Sequence, residues 1–367
     1  MTPLSSQDTF FMKRALELAL AGRGKAHPNP LVGAVIVKRG KIIGEGAHER
    51  FGQSHAEVNA ILSSRQDPKG ATLYVNLEPC AHFGQTPPCT DLLIESKIQR
   101  VVIGMKDPNP FVHGRGIRQL KRAGLEVTCG VLEREAQELN RDFSHWMLRH
   151  TPYVIVKAAQ SLDGKIATWA GDSKWITEKK SRVLSHELRA SSDAILVGVN
   201  TILKDNPRLD TRLASIQRYP IKIVLDSFLR TPLSARIFSK KSRNRVIIVT
   251  TSRAGQKQWT RLERKAEVLL VPEKKKGFID WKMLLRELGE RGIVNLLIEG
   301  GGEVIGSAIR EKIAHELYVF VAPKIIGGRG SVSAVGGEGV RFLKEAAHIR
   351  DLKVEPIGRD LLLRGKL

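Results

Sequence analysis

Three side chains of this 367-residue chain are of the right types to make a metal centre: His55, Cys80 and Cys89. One histidine and two cysteines supply one nitrogen and two thiolates, which leaves the fourth position of a tetrahedral zinc open to water. Such a site is catalytic, because structural zinc fills all four positions with protein. Glu57 follows two residues after the histidine, where a carboxylate can carry protons beside an activated water. His55-Ala56-Glu57 alone is a short pattern, but Pro79-Cys80 and Pro88-Cys89 follow it in order. Two packed thiols and a surface histidine would not account for that convergence.

His-x-Glu followed by Pro-Cys-x-x-Cys resembles the signature of zinc nucleobase deaminases, in which water adds to an amidine carbon and the glutamate moves protons to the departing amine. Here eight residues separate the two cysteines instead of two. A second candidate is Glu299-Gly300-Gly301-Gly302, between a predicted strand and a predicted helix. Glycines let a phosphate approach the backbone, and the helix end offers N–H donors. No Gly-x-Gly-x-x-Gly accompanies it, so a Rossmann nucleotide site has little support. Asp163, Asp205, Arg189 and Arg212 stand near predicted strand or helix ends, where solvated caps compete with site roles.

The elements that must position these groups can be read from periodicity. The pattern predicts an opening helix from Ser6 to Ala21. A Pro-held loop, His27 to Gly33, then runs into a hairpin, 34–37 and 41–47, turned at Arg39-Gly40. His48 lies just past its end. A helix from His55 to Ser64 starts at the metal histidine. The strand 71–77 delivers Glu78, Pro79 and Cys80 at its end, and Cys89 opens the next helix, where free N–H groups favour a thiolate. Strand 101–105, helix 117–123 and strand 125–128 complete a βαβ series, which argues for a mostly parallel sheet. Glu133 to Leu148 reads as one helix, and Thr151-Pro152 breaks the pattern. The boundary is therefore expected near residue 147, giving domains 1–147 and 148–367. The second half restarts with strand 153–158 and continues with a helix 177–190 capped by Thr177. Strands 194–197, 221–225, 246–250 and 268–271 follow, then helix 280–291 and strand 294–298 leading to the glycine run. Both halves are of the α/β class.

Length fits two domains at about 150 residues each, and the apolar fraction of 42% suits globular cores. No run approaches the roughly 18 apolar residues of a membrane span, and residues 1–10 carry neither a signal nor a transit pattern. A cytoplasmic protein without a membrane partner is expected. The three cysteines argue against a disulfide framework, and Cys129, in the pattern Leu125 to Cys129, reads as a core residue. A formal charge of +22 attracts phosphates, but the basic residues are spread along the chain. Lys240-Lys241 and Lys274-Lys275-Lys276 lack interleaved aromatics. That favours a solvated basic surface over a nucleic-acid groove, and a small phosphorylated substrate is compatible with either.

Taken together, His27-Pro28-Asn29-Pro30-Leu31-Val32-Gly33, His55-Ala56-Glu57, the segment from Leu77 to Cys89 and Asp107-Pro108-Asn109-Pro110 resemble the deaminase half of the bifunctional riboflavin-biosynthesis RibD family. Lys157, Ser161 to Lys165, Trp175-Ile176-Thr177, Asp205-Asn206-Pro207, Leu225-Asp226-Ser227 and Glu299 to Gly302 resemble its reductase half. The long cysteine spacing looks like that family's own. The resemblance implies a cytidine-deaminase-like domain followed by a dihydrofolate-reductase-like domain. It implies zinc-dependent deamination of a 2,5-diamino-6-ribosylamino-pyrimidinone 5′-phosphate and then NADPH-dependent reduction of its ribosyl group to ribityl. By position, His55, Cys80 and Cys89 resemble the ligands of one zinc, with Glu57 the proton shuttle. Asn29, His48 and His82 resemble contacts to the first substrate. Ser173, Arg189, Leu209, Arg212 and Glu299 resemble positions for the second substrate, the arginines as phosphate clamps. Ala159, Trp175, Thr201, Asp205, Ser227, Gly301, Gly302, Glu303, Val304, Ile305, Gly306 and Ser307 resemble the nucleotide site, with Trp175 offering a flat surface to a ring. A homo-oligomer is expected. One departure is Gln85, where the family commonly carries a lysine or arginine. A tRNA-editing deaminase and a nucleic-acid-binding protein with structural zinc are the rival readings. NADPH binding separates the first from the family, and the open zinc position argues against the second.

Overall fold

The computed structural model describes residues 6–83, 87–211, 219–239 and 244–367. The chain divides into two compact units, Met1–His150 and Thr151–Leu367. The division follows the end of a helix that runs on past residue 147, to Arg149.

In the first unit the elements are α1 (Ser6–Ala19), β1 (Gly33–Lys38), β2 (Lys41–Ala47), α2 (Ala56–Leu62), β3 (Thr72–Leu77), α3 (Cys89–Glu95), β4 (Arg100–Met105), α4 (Arg115–Arg122), β5 (Glu126–Cys129), α5 (Glu133–Leu139) and α6 (Arg141–Arg149). The sheet order is β2-β1-β3-β4-β5. β3, β4 and β5 are parallel, whereas β1 is antiparallel to both its neighbours. The sheet is therefore mixed rather than mostly parallel, because the tight turn at Arg39-Gly40 forces β1 and β2 into a hairpin. Strand residues alternate between two cores. Ala34, Ile36, Leu73, Val101 and Ile103 meet Ala56, Ala60, Leu93 and Leu120 on one face. Val35, Val37, Tyr74 and Val102 meet Phe11, Met12 and Ala15 on the other.

Two expectations fail locally. The single helix expected over 133–148 is broken at Asn140, whose buried amide is used elsewhere: its Oδ1 accepts from the Leu31 N–H at 2.8 Å, and its Nδ2 donates to the Leu31 carbonyl at 3.0 Å. Cys129 is exposed at the end of the edge strand β5 rather than packed in the core, since one side of that strand has no neighbour to cover it.

The second unit comprises β6 (Tyr153–Ser161), β7 (Lys165–Ala167), α7 (Lys179–Ser191), β8 (Ala194–Gly198), α8 (Val199–Asp205), β9 (Ile221–Leu225), β10 (Val246–Thr250), α9 (Gln256–Leu262), β11 (Glu267–Leu270), β12 (Glu273–Lys275), β13 (Phe278–Ile279), α10 (Trp281–Glu290), β14 (Asn295–Ile298), α11 (Gly302–Arg310), β15 (Glu316–Ala322), β16 (Val332–Ser333), β17 (Arg350–Ile357) and β18 (Asp360–Lys366). Its main sheet runs β11-β10-β9-β8-β14-β6-β15-β18-β17. The pairings from β11 to β15 are parallel, and β18 and β17 add antiparallel strands at one edge. Val154, Leu196, Ile223 and Leu296 pack under α10 and α11 on one face. Ile155, Ile195, Val224 and Leu297 pack on the other, with Leu184 and Leu188 of α7.

The start of α7 shows what sequence distance hides. Thr177 was the expected cap, but the N–H of Glu178 donates to Asp360 Oδ2 at 2.7 Å, and Ser181 Oγ donates to the same oxygen at 2.6 Å. A carboxylate from β18 thus satisfies the helix end. At α10 the cap is local: Asp280 accepts from the N–H groups of Lys282 and Met283.

Candidate active site

The metal-binding geometry begins with α2 lying directly on β2. A Cβ added at Gly46 would meet Ala56 O and Ala60 N at 2.3 Å, so only glycine permits this approach. The contact fixes His55, the residue before the helix, beside the ends of β3 and α3. Cys80 follows β3 and Cys89 begins α3. The ligand atoms of His55, Cys80 and Cys89 all lie within 4.8 Å of one another. His55 Nδ1 is 3.2 Å from Cys89 Sγ and 3.6 Å from Cys80 Sγ. Tetrahedral zinc with ordinary Zn–N and Zn–S bonds would hold a nitrogen and a sulfur about 3.5 Å apart, so the donor set fits zinc. Among the described residues no other cluster of this kind occurs.

The charges around this cluster are coupled. The Cys89 backbone N–H donates to Cys80 Sγ at 3.3 Å. Hydrogen bonding to Cys89 pulls the Cys80 thiol down, with His55 adding to it, while the same bond and burial push Cys89 up. Glu57 is buried in the first turn of α2. Burial, then the Cys80 thiolate, raises its carboxyl to about 7, suiting a group that must both take and give a proton near neutrality. His48 stands against His55 with ring centroids 5.6 Å apart. Burial lowers its pKa, keeping the ring neutral. Its Nδ1 lies 3.1 Å from the Ser54 carbonyl and its Nε2 lies 3.1 Å from Asn29 Nδ2. A carbonyl can only accept, so Nδ1 carries the proton and Nε2 accepts from Asn29.

These groups open on a cavity of about 380 Å³, whose wall also includes Asn29, His48, His82, Asp107 and Asn109. All three expected substrate contacts are thus brought together with the metal cluster; Gln85 lies outside the described residues. Two asparagine amides hold the Asn29 loop. Besides the Asn140 bonds, Asn76 Oδ1 accepts from the Gly33 N–H at 2.8 Å and its Nδ2 donates to the Leu31 carbonyl at 2.9 Å. Glu78 fixes the opposite loop, because its buried carboxylate accepts from the N–H groups of Asp107, Gly114 and Ile117. Sequence reasoning gave no role to Glu78, to Asp107 and Asn109 or to the apolar wall residues Phe143, Trp146 and Met147. The last three could have been found from their spacing on one helical face.

The second unit has its own cavity, about 390 Å³, at the C-terminal ends of β8, β9 and β14. Ser173, Thr201, Asp205, Ser227, Glu299, Gly301, Gly302, Glu303, Val304 and Ser307 line it. Ser173 Oγ donates to Asp205 Oδ1 at 3.3 Å. Gly301 has φ +75, and a Cβ on Gly302 would meet Ser333 O at 2.4 Å. The bare backbone at the start of α11 fits the phosphates of a dinucleotide. Other expected positions lie elsewhere. Ile305 and Leu209 are core residues, and Gly306 packs against Gly336. Ala159 is partly buried against a core cluster. Trp175 is exposed, with the Arg182 guanidinium 4.6 Å above its ring, and does not line the cavity. Arg189 is held by Glu299 through contacts of 2.9, 2.9 and 2.5 Å rather than standing open as a clamp. Arg212 lies outside the described residues.

Residues 5–105 match the family model of the cytidine and deoxycytidylate deaminase zinc-binding region, and residues 152–363 match that of the RibD C-terminal domain. The riboflavin biosynthesis protein RibD of Aquifex aeolicus is 45% identical over 356 residues, 97% of each chain. The structure of Acinetobacter baumannii RibD superimposes with a TM-score of 0.87 at 33% identity, covering 98% of this chain and 99% of that one. A Thermotoga maritima protein, described as a diaminohydroxyphosphoribosylaminopyrimidine deaminase and 5-amino-6-(5-phosphoribosylamino)uracil reductase, superimposes with a TM-score of 0.85 at 39% identity, with 98% of each chain covered.

Proposed function

The chain belongs to the RibD family, which joins a deaminase and a reductase of riboflavin biosynthesis in one polypeptide, and on that premise we propose how its residues divide the two reactions. It is a bifunctional enzyme with a cytidine-deaminase-like domain and a dihydrofolate-reductase-like domain. Its reactions are hydrolytic deamination of diaminohydroxyphosphoribosylaminopyrimidine and reduction of the resulting 5-amino-6-(5-phosphoribosylamino)uracil to the ribityl compound. The first belongs to the unit ending at His150 and the second to the unit beginning at Thr151.

In the first unit His55, Cys80 and Cys89 hold zinc, which when bound lowers the pKa of water towards neutrality. Glu57 takes a proton from the attacking water and gives it to the amine, so that the ring carbon loses ammonia and gains a carbonyl oxygen. Asn29, fixed by the neutral His48, meets a polar edge of the pyrimidine, and His82 lies towards its phosphate. In the second unit NADPH, when bound, supplies the hydride. The backbone from Gly301 at the start of α11, with Thr201, Asp205 and Ser227, holds its phosphates and sugars. Ser173 and Glu299 face the ribosyl substrate, with Arg189 setting the Glu299 carboxylate.

The carrying observation is the cluster of His55, Cys80 and Cys89, of which His55 and Cys80 line, together with the buried Glu57, a cavity of about 380 Å³. No helix among the described residues is long and apolar enough to cross a membrane. Cytoplasmic operation is supported by the thiol ligands Cys80 and Cys89, which a reducing compartment keeps from oxidation. A homo-oligomer is supported by the exposed apolar residues Leu352 and Val354 on the edge strand β17. The decisive experiment follows ammonia release from the diaminopyrimidine ribosyl phosphate by zinc-loaded protein, and then NADPH oxidation when that cofactor is added. Both signals are expected from one chain. No ammonia from the zinc-loaded protein would overturn the substrate assignment and make tRNA the next candidate; ammonia without NADPH oxidation would overturn the role of the second unit.

A further inference from the structure

We propose that Trp146 is a substrate-binding residue of the deaminase, its indole packing on the face of the aminopyrimidine ring held before the metal cluster. The proposal rests on the deaminase reading above and adds a residue to it. Phe143, Trp146 and Met147 recur at the i, i+3 and i+4 spacing of one helical face, and all three line the cavity that contains His55, Glu57 and Cys80. Phe143 is buried and anchors that face, while Trp146 and Met147 keep part of their surface open to the cavity.

The wall is held in place independently of any ligand. His27 Nε2 lies 3.3 Å from Asp142 Oδ2, and Asn140 exchanges two hydrogen bonds with the backbone of Leu31. The first turn of α6 is thereby strapped on both sides of Asn29, the residue that meets the polar edge of the ring. Asn29 and the indole keep a fixed relation to each other. Phe51, another aromatic on the cavity wall, sits in the turn closed by the Gln53 N–H on the Arg50 carbonyl, and its own N–H donates to the Lys25 carbonyl. It is 47% exposed, whereas Trp146 is half-buried, so Phe51 offers the less sheltered surface to a ring.

The chemistry requires such a surface. A planar heterocycle offers hydrogen bonds only at its edges, and edge contacts leave the ring free to tilt about them. An apolar plane against one face removes that freedom and aims the amino-bearing carbon at the metal cluster. Every base presents a π-face, and aromatic stacking contributes substantially to holding it.

Ammonia release from the diaminopyrimidine ribosyl phosphate, measured for the parent, Trp146→Ala and Trp146→Phe, tests the assignment, with zinc content and NADPH-dependent reductase turnover of the same preparations as folding controls. Trp146→Ala should raise KM about ten-fold, within the range that loss of base stacking gives, with kcat within about two-fold and both controls unchanged. Trp146→Phe should recover most of the loss. A KM for Trp146→Ala within two-fold of the parent's overturns the proposal, as does a loss in kcat or zinc with KM unmoved. Absence of ammonia release from the zinc-loaded parent would overturn the deaminase reading itself, and this assignment with it.

Discussion

Replacing Glu299 by glutamine should unfold the second unit at far lower denaturant concentration and leave the first intact. The Glu299 side chain is 3% exposed and that of Arg189 18%. Three contacts join them, and Lys157 adds a second positive charge nearby. The amide keeps the shape and one acceptor but removes the charge, so that Arg189 and Lys157 face each other with only Asp210, already paired with Lys222, as a counter-charge. Breaking a buried pair by removing one partner costs about 3–5 kcal/mol, which for a unit of this size lowers the melting temperature by roughly 10 °C. Four of the five tryptophans, Trp169, Trp175, Trp259 and Trp281, lie in the second unit, so urea unfolding followed by intrinsic fluorescence reports chiefly on it. The pH dependence has a definite sign. Burial alone would push the Glu299 carboxyl up, but the Arg189 and Lys157 charges and the hydrogen bonds from Arg189 together outweigh it and hold the folded-state pKa below the ordinary value. A depressed carboxylate contributes its stability fully above the unfolded pKa near 4.5 and loses it as pH falls through the lower folded value. The deficit of Glu299→Gln should therefore be full at pH 7 and shrink below about pH 4. A double variant, Arg189→Met with Glu299→Leu, should recover most of the stability without reductase turnover, since an apolar pair of similar volume replaces a buried ion pair at little loss. A deficit under about 1 kcal/mol for Glu299→Gln, or one equally large at pH 3 and pH 7, would refute the assignment of this pair as a buried, mutually compensating one.

Other expected outcomes can be checked on the same preparations. Glu57→Gln should lower the turnover of ammonia release by about 10²- to 10⁴-fold, the range for a lost general acid–base group, while zinc content stays at that of the parent. Loss of the metal instead would make Glu57 a ligand. Asp360→Ala removes the acceptor shared by the Glu178 N–H and Ser181 Oγ, and should cost the second unit about 2 kcal/mol in urea unfolding with ammonia release unchanged; an unaltered midpoint would mean that α7 finds another cap.

The metal ligands and Glu57 were legible because each sits at a place that local sequence fixes: the residue before a helix, the end of an apolar strand, the first residue after Pro88. Residue type and spacing carry that chemistry without knowledge of the fold. The strands of the first unit, and in the main sheet of the second all but β15, β17 and β18, were legible for the same reason, since cores on both faces demand near-continuous apolar runs. What remained hidden depends on pairs distant in the chain. Asn140 reaches Leu31, Asp360 reaches Glu178, and Arg189 is claimed by Glu299. Two of these pairings changed a reading, a helix broken in two and a cap moved to another strand, and the third sets an arginine read as a phosphate clamp against a buried carboxylate. Whether Cys129 is covered and which residues face a cavity are also decided only when strands take their order in the sheet. A sequence states what each side chain can do; the tertiary structure chooses its partner, because burial leaves a polar group no water and obliges it to bond with whatever the fold brings alongside.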